Sequence, residues 1–221
     1  MNSTINLSEL FLGTCLHFFV NNFFDEQNEN ELLSDNEILQ KIIDGNKNIF
    51  SLLLDRYSDK IYRYIFYHFN FDKKISQDLT QEVFLHVWNK LNKFDNEQKF
   101  EPWLYRLAHN CCIDWIRKNK NNLSESSLDN ISYDIGEAFD ENDLENNYKQ
   151  KLIYQILEKL DHKSKHIIIL SYFEQKSYDE IAYIIGISKG AVGTSLTRAR
   201  NKLKDIINSD DVLKDALNFD L

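Results

Sequence analysis

Between Lys47 and Phe69, apolar residues fall at Phe50, Leu53, Leu54, Tyr57, Ile61, Ile65 and Phe69. Steps of three and four residues are the period of one buried helix face, so the pattern predicts a helix over this stretch. A second helix is predicted from Ser76, a candidate N-cap, to Lys93; Leu79, Val83, Val87 and Leu91 form its buried stripe, with Phe84 and Trp88 beside it. A polar connection from Phe94 to Phe100 leads into a third helix through Trp103, Leu107, Ile113 and Ile116 to Lys120. Pro102 suits its first turn, where a missing N–H costs nothing. Residues 121–146 lose this periodicity and are rich in Asn, Ser, Asp and Glu, the composition of a flexible linker. Helical spacing returns over 147–159, 162–173, 177–185 and 188–207.

The last two of these predicted helices are closely spaced. Residues 179–188, DEIAYIIGIS, read as a short amphipathic helix ending at Gly186, which suits a left-handed turn, followed by Ser188 as the cap of the next helix. Ala182 suits a tight helix crossing, and Ile181, Ile185, Ile187, Val192 and Leu196 are the expected small core. This is the spacing of a DNA-binding helix-turn-helix; an ordinary helical hairpin is the plainer alternative.

With six glycines and one proline in 221 residues, the chain lacks the turn residues that sandwiches, barrels and Gly-rich nucleotide folds need. The expected fold is all-α: two small helical domains joined by a flexible acidic linker, the C-terminal one a helix-turn-helix. The expected boundaries are an extension at 1–36, a domain at 37–120, the linker at 121–147, a domain at 148–207 and an acidic tail at 208–221. The apolar run at 10–24 contains His17 and two asparagines and follows no basic residue, unlike a secretory signal. It reads instead as a helix packing on the first domain, or as upstream sequence included by a wrong start. Residues 25–36 are expected to be loose. No apolar run reaches the ~18–20 residues of a membrane span, so no membrane insertion is expected.

The net charge of −9 is unevenly spread. Residues 45–120 carry 13 Lys+Arg against 9 Asp+Glu, and residues 151–207 carry 10 against 6, so each is +4. Residues 1–44 and 121–150 each carry 1 against 8, a net of −7. Two basic blocks on an acidic tether suggest two nucleic-acid-facing modules, although charges that merely solvate helix faces would look similar. Cys15, Cys111 and Cys112 form neither a disulfide framework nor a CxxC site, which points to a reducing cytoplasm. Adjacent cysteines on a helix diverge by about 100°, so Cys111, Cys112 and neighbouring His109 read as buried residues rather than metal ligands. No Ser/His/Asp set, glycine phosphate loop or HExxH motif is present. Neither a catalytic group nor a cofactor is expected.

Residues 76–94, SQDLTQEVFLHVWNKLNKF, resemble the polymerase-binding helix of bacterial sigma factors, and residues 100–118, FEPWLYRLAHNCCIDWIRK, resemble the adjoining promoter-melting helix. Residues 158–204 resemble the C-terminal helix-turn-helix that reads the −35 element. With nothing globular between them, the order is that of the extracytoplasmic-function (ECF) type. The resemblance implies a cytoplasmic protein that binds core RNA polymerase, directs it to promoter DNA, helps melt the −10 region and is held by an anti-sigma factor.

Specific residues fit these roles. Asp78, Gln81, Glu82, Leu85 and Asn89 lie opposite the buried stripe of the second helix, an acidic-polar ridge with one apolar knob. By resemblance it docks on the clamp helices of the polymerase's largest subunit; a solvated helix face is the alternative. Melting needs aromatic faces for unstacked bases and cations for the backbone. Phe94, Phe100 and Trp103 cluster with Lys93, Lys99 and Arg106, and Asn110 matches the residue that helps line the −10 base pocket in similar sigma factors. Arg117, Lys118 and Lys120 would track phosphates. Phe100 and Trp103 could equally be core residues. For the −35 element the candidates are Ser188, Lys189, Thr194, Ser195, Thr197, Arg198 and Arg200. Recognition helices of the family usually read like TVKSRLHRAR, whereas here Gly193 and Ser195 stand where Lys and Arg are common, and Thr197 where His is frequent. Each lost phosphate contact weakens binding and its salt dependence. The competing readings are a stand-alone helix-turn-helix regulator that ignores polymerase, and a recombinase with a DNA-binding tail. The latter lacks a nucleophile constellation.

Overall fold

The computed structural model of the chain describes residues 33–70, 72–119, 144–211 and 213–214. The described residues are helical, with no strand among them, and form two compact units. The expected all-α, two-domain organisation holds. The apolar run at 10–24 and most of the acidic linker lie outside the described residues.

The first unit, on residues 33–119, contains α1 (Asp35–Ile43), α2 (Phe50–His68), α3 (Lys73–Lys90) and α4 (Phe100–Asn119), with short 3₁₀ turns at Lys47–Ile49 and Leu91–Lys93. Helix α1 corrects the expectation of a loose segment through residue 36. Ser34 and Glu37 form a capping box: the Glu37 N–H donates to Ser34 Oγ (3.3 Å), and the Ser34 N–H donates to Glu37 Oε2 (2.7 Å). Arg56 of α2 then ties this start down through Asp35 and the Leu33 carbonyl.

The start of α3 also differs from the expectation. Asp72 is the N-cap, accepting from the Ile75 N–H at 2.7 Å. Ser76 lies one turn inside the helix, buried, with its hydroxyl donating back to the Asp72 carbonyl. Leu53, Ile61 and Ile65 of α2 and Leu79, Val83 and Val87 of α3 are interior, as the helical periodicity required. Helix α4 turns Leu104, Leu107, Ala108 and Cys112 inward, whereas Trp103, Ile113 and Ile116 of the expected pattern are half-buried. Trp88 is at the rim instead, its ring edge-on to Phe50 at 5.0 Å and 37% exposed.

The second unit contains α5 (Leu144–Glu158), α6 (His162–Ile168), α7 (Tyr178–Ile185) as far as Ala182, and α8 (Lys189–Asn208). Helix α5 starts inside the segment expected to be linker. Helix α6 runs on into a π turn at Ile169–Phe173. Asp161 caps α6 by accepting from the Ser164 N–H (3.1 Å), and the Lys202 ammonium of α8 donates to the same carboxylate. Burial alone would push the Asp161 carboxyl up; Lys202 and the Ser164 hydrogen bonds outweigh this and hold it at about 2. The acidic tail is not wholly free of the unit: Leu213 is buried, and Lys159 Nζ donates to Asp210 Oδ2 at 2.8 Å.

Candidate nucleic-acid interface

The face of α3 opposite its interior stripe presents all five ridge residues. Asp78, Gln81 and Asn89 are exposed, and Glu82 is half-buried with its carboxylate 3.9 Å from His86 Nε2. Leu85 is 63% exposed, a large apolar side chain standing on an otherwise polar face. A solvated helix surface has no need of such a side chain, although single exposed apolar residues do occur on protein surfaces.

On α4, Trp103, Arg106, Asn110 and Arg117 recur at helical spacing on one face, while Leu104, Leu107, Ala108 and Cys111 point inward. Lys93, Lys99, Arg106, Asn110, Arg117 and Lys118 are exposed, and Arg117 donates to Asp114 at 3.0 Å. The three candidate aromatics are brought together, with ring centroids 4.9 Å apart for Phe94–Trp103 and 5.7 Å for Phe100–Trp103. They are not equivalent. Phe94 (8% exposed) and Phe100 (2%) are interior, and Phe100 also meets Tyr57 edge-on at 5.4 Å. As packed, neither ring offers a face to a base, which corrects that part of the expectation. Trp103 alone among the three is half-buried.

Beneath this face, His109 is buried against Tyr64, with Nδ1 3.4 Å from the phenol oxygen. Burial, with Arg106 nearby, pulls its pKa down to about 4, so it is neutral at pH 7. Cys111 Sγ lies 3.4 Å from His86 Nδ1, and burial first, then Glu82 and Asp114, pushes its thiol up to about 11. Cys112 is fully buried. Both cysteines are free and behave as the small hydrophobes expected of them.

The turn between α7 and α8 has the expected geometry. Gly186 adopts φ +77°, a conformation open to glycine without steric penalty. Ser188 caps α8, its Oγ accepting from the Ala191 N–H at 3.3 Å. The small core holds Ile181, Val192 and Leu196, but Ile184 is the buried residue of the next turn, whereas Ile185 and Ile187 are half-buried.

The cations of α8 divide into two groups. Lys189 Nζ donates to Asp179 at 2.7 Å, and Lys202 to Asp161. Arg200 Nε donates to the Tyr172 hydroxyl at 2.6 Å, with the guanidinium 5.6 Å from that ring's centroid. Arg200 is therefore held against its own domain, contrary to its expected DNA-facing role. Arg198 and Lys204 are exposed. Thr194 and Thr197 are exposed and Ser195 half-buried. Sequence reasoning did not single out Tyr178, whose Cε2 lies 3.7 Å from where a β-carbon on Gly193 would stand. The missing side chain at 193 was the available signal.

Residues 53–122 match the Sigma-70 region 2 family and residues 150–203 match Sigma-70 region 4. The chain is 30% identical to the ECF RNA polymerase sigma factor SigW of Bacillus subtilis, over 75% of this chain and 92% of that protein. It is 33% identical to the RNA polymerase sigma factor YlaC of the same organism, over 69% and 88%. Among solved structures, CnrH in complex with the cytosolic domain of CnrY shares the fold with a TM-score of 0.61 at 23% identity, over 80% of this chain and 98% of that one. A region 2 match preceding region 4 disfavours a stand-alone helix-turn-helix regulator. The chain belongs to the ECF RNA polymerase sigma factors, which bind core RNA polymerase and direct it to promoters.

Proposed function

We propose that the work is divided among three surfaces of this chain. The α3 ridge of Asp78, Gln81, Glu82, Leu85 and Asn89 docks on the clamp helices of core polymerase. The α4 face of Trp103, Arg106 and Asn110, with Lys93, Lys99, Arg117 and Lys118 around it, engages the −10 region as it melts. Helix α8 takes the −35 element through its N-terminal half and Arg198. The observation that carries this reading is Leu85: an exposed apolar knob within an acidic-polar ridge suits a basic helical partner with an apolar groove, where its burial would stabilise the complex by about 1.5–3 kcal/mol.

For melting, Trp103 supplies the stacking surface. Base–aromatic stacking contributes about 1–3 kcal/mol per base, comparable to the few kcal/mol needed to take a base out of the stack. Phe94 and Phe100 support Trp103 from the interior. Asn110, whose amide both donates and accepts, suits a base edge, and the surrounding cations suit phosphates. The protein acts by binding and positioning, in the cytoplasm where polymerase works; no helix among the described residues is long and apolar enough to cross a membrane.

A further proposed partner is an anti-sigma factor. CnrH was solved with the cytosolic domain of CnrY, and RpoE, from Bartonella quintana, with the anti-sigma factor NepR (TM-score 0.55, 20% identity, 73% of this chain and 98% of that one). An inhibitor that covered the α3 ridge would block polymerase directly.

The test is a pull-down with purified core polymerase. Wild-type chain is retained; Asp78→Lys with Glu82→Lys is not, although its helix content by circular dichroism is unchanged, because both side chains stand on the outer face. Retention of the double variant would refute the ridge assignment.

A further inference from the structure

The recognition helix keeps few cations free for DNA. Lys189, Arg200 and Lys202 are engaged with Asp179, Tyr172 and Asp161. Positions 193 and 195, flanking Thr194, carry glycine and serine. What the helix turns outward is instead a patch of small and methyl-bearing groups. Gly190, Gly193, Thr194 and Thr197 are spaced by three and four residues, so they share one face. The Thr197 hydroxyl donates to the Gly193 carbonyl at 3.0 Å, and the Thr194 hydroxyl to the Gly190 carbonyl at 3.4 Å. A threonine with its hydroxyl turned back onto its own helix presents its γ-methyl as the outward group. Beside them the ring of Tyr178, 40% exposed, flanks the space left empty at Gly193.

We propose that Thr194, Thr197 and Tyr178 read the −35 element by apolar contact with thymine methyl groups. In the major groove, thymine alone among the bases presents a methyl, and threonine methyls and aromatic rings are its apolar partners; guanine is read by bidentate Arg or Lys. The N-terminal half of a helix-turn-helix recognition helix is the part that meets base edges; Thr194 and Thr197 lie in that half, and Tyr178, at the start of α7, stands beside it at Gly193. Gly193 is explained in the same way. A lysine there would set a flexible cation beside Tyr178 and across the methyl patch, exchanging base discrimination for a phosphate contact that carries none. The proposal rests on the assignment of α8 to the −35 element.

The experiment uses holoenzyme assembled from the full chain and core polymerase, with core polymerase alone as background. It selects duplexes randomised over the −35 segment from two pools, one made with thymidine and one with deoxyuridine. The expected result is a selected sequence containing A·T pairs, with deoxyuridine weakening binding about fourfold for each contacted methyl removed. On the selected duplex, Thr197→Val, which keeps methyls and drops the hydroxyl, binds within about twofold of wild type. Thr197→Ser, which keeps the hydroxyl and drops the methyl, loses about fourfold; thermal melting confirms that both variants are folded. Equal binding of the two DNA types, or a loss with Val but not Ser, overturns methyl readout while leaving the DNA assignment standing. Failure to select any sequence from either pool overturns the assignment of α8 to the −35 element, and the proposal with it.

Discussion

Arg200 donates through Nε to the hydroxyl of Tyr172 at 2.6 Å, drawing a recognition-helix cation back onto its own domain. Two residues earlier, Arg198 is exposed. The two arginines therefore have different predicted phenotypes, although either could be taken for a phosphate contact from sequence. Arg198→Gln should lower the slope of log affinity against log salt by roughly 0.9 on duplex DNA, with little effect on stability. Arg200→Gln should leave the slope unchanged and destabilise the domain by about 1 kcal/mol, because a hydrogen bond and a cation–π contact are lost. Binding across a salt series together with thermal melting checks both. Equal slope changes would mean that Arg200 leaves Tyr172 to reach DNA.

The burial difference among the three aromatics separates melting from folding. Trp103→Ala should fold, bind promoter DNA with polymerase and fail to open it, so that thymines of the −10 region stay unreactive to permanganate. Phe100→Ala should cost about 3–5 kcal/mol by opening a cavity between Tyr57, Phe94 and Trp103. Normal opening by a folded Trp103→Ala protein would remove the tryptophan from the proposed pocket.

Acid should weaken the first unit through His109. Burial lowers its folded-state pKa from the ordinary 6.5 to about 4, so the unfolded chain takes up the proton first. The stability linked to this residue is fully present above pH 6.5 and is lost as pH falls towards 4, by an amount of the order of 2–3 kcal/mol. In His109→Gln the fall in denaturation midpoint over that window should be distinctly shallower than in wild type. An identical pH profile would show that His109 is not buried neutral.

The helices and their buried faces were legible because burial imposes a 3.6-residue period, and Leu79, Val83 and Val87 or Val192 and Leu196 keep it. The turn at Gly186 and the cap at Ser188 were legible because few residue types perform those tasks. Helix starts were less so: Asp72 and Ser76 are both acceptable caps in sequence, and only the path of the chain chooses between them. Helix α1 was missed because an acidic stretch masked a capping box at Ser34 and Glu37. The site was legible in its members but not in their engagement. Composition cannot tell whether Arg200 faces DNA or Tyr172, or which of three clustered aromatics is interior, since both depend on neighbours distant in sequence.

The most direct measurement is of transcription initiation itself. Core RNA polymerase is incubated with fragmented chromosomal DNA of the producing bacterium, with and without the chain, and the 5′ ends of the transcripts are mapped. Discrete start sites should arise only when the chain is present, share a common upstream element, and vanish with Asp78→Lys and Glu82→Lys. If the wild-type chain binds that DNA yet yields the same start sites as core polymerase alone, it does not direct initiation, and the assignment of its three surfaces fails.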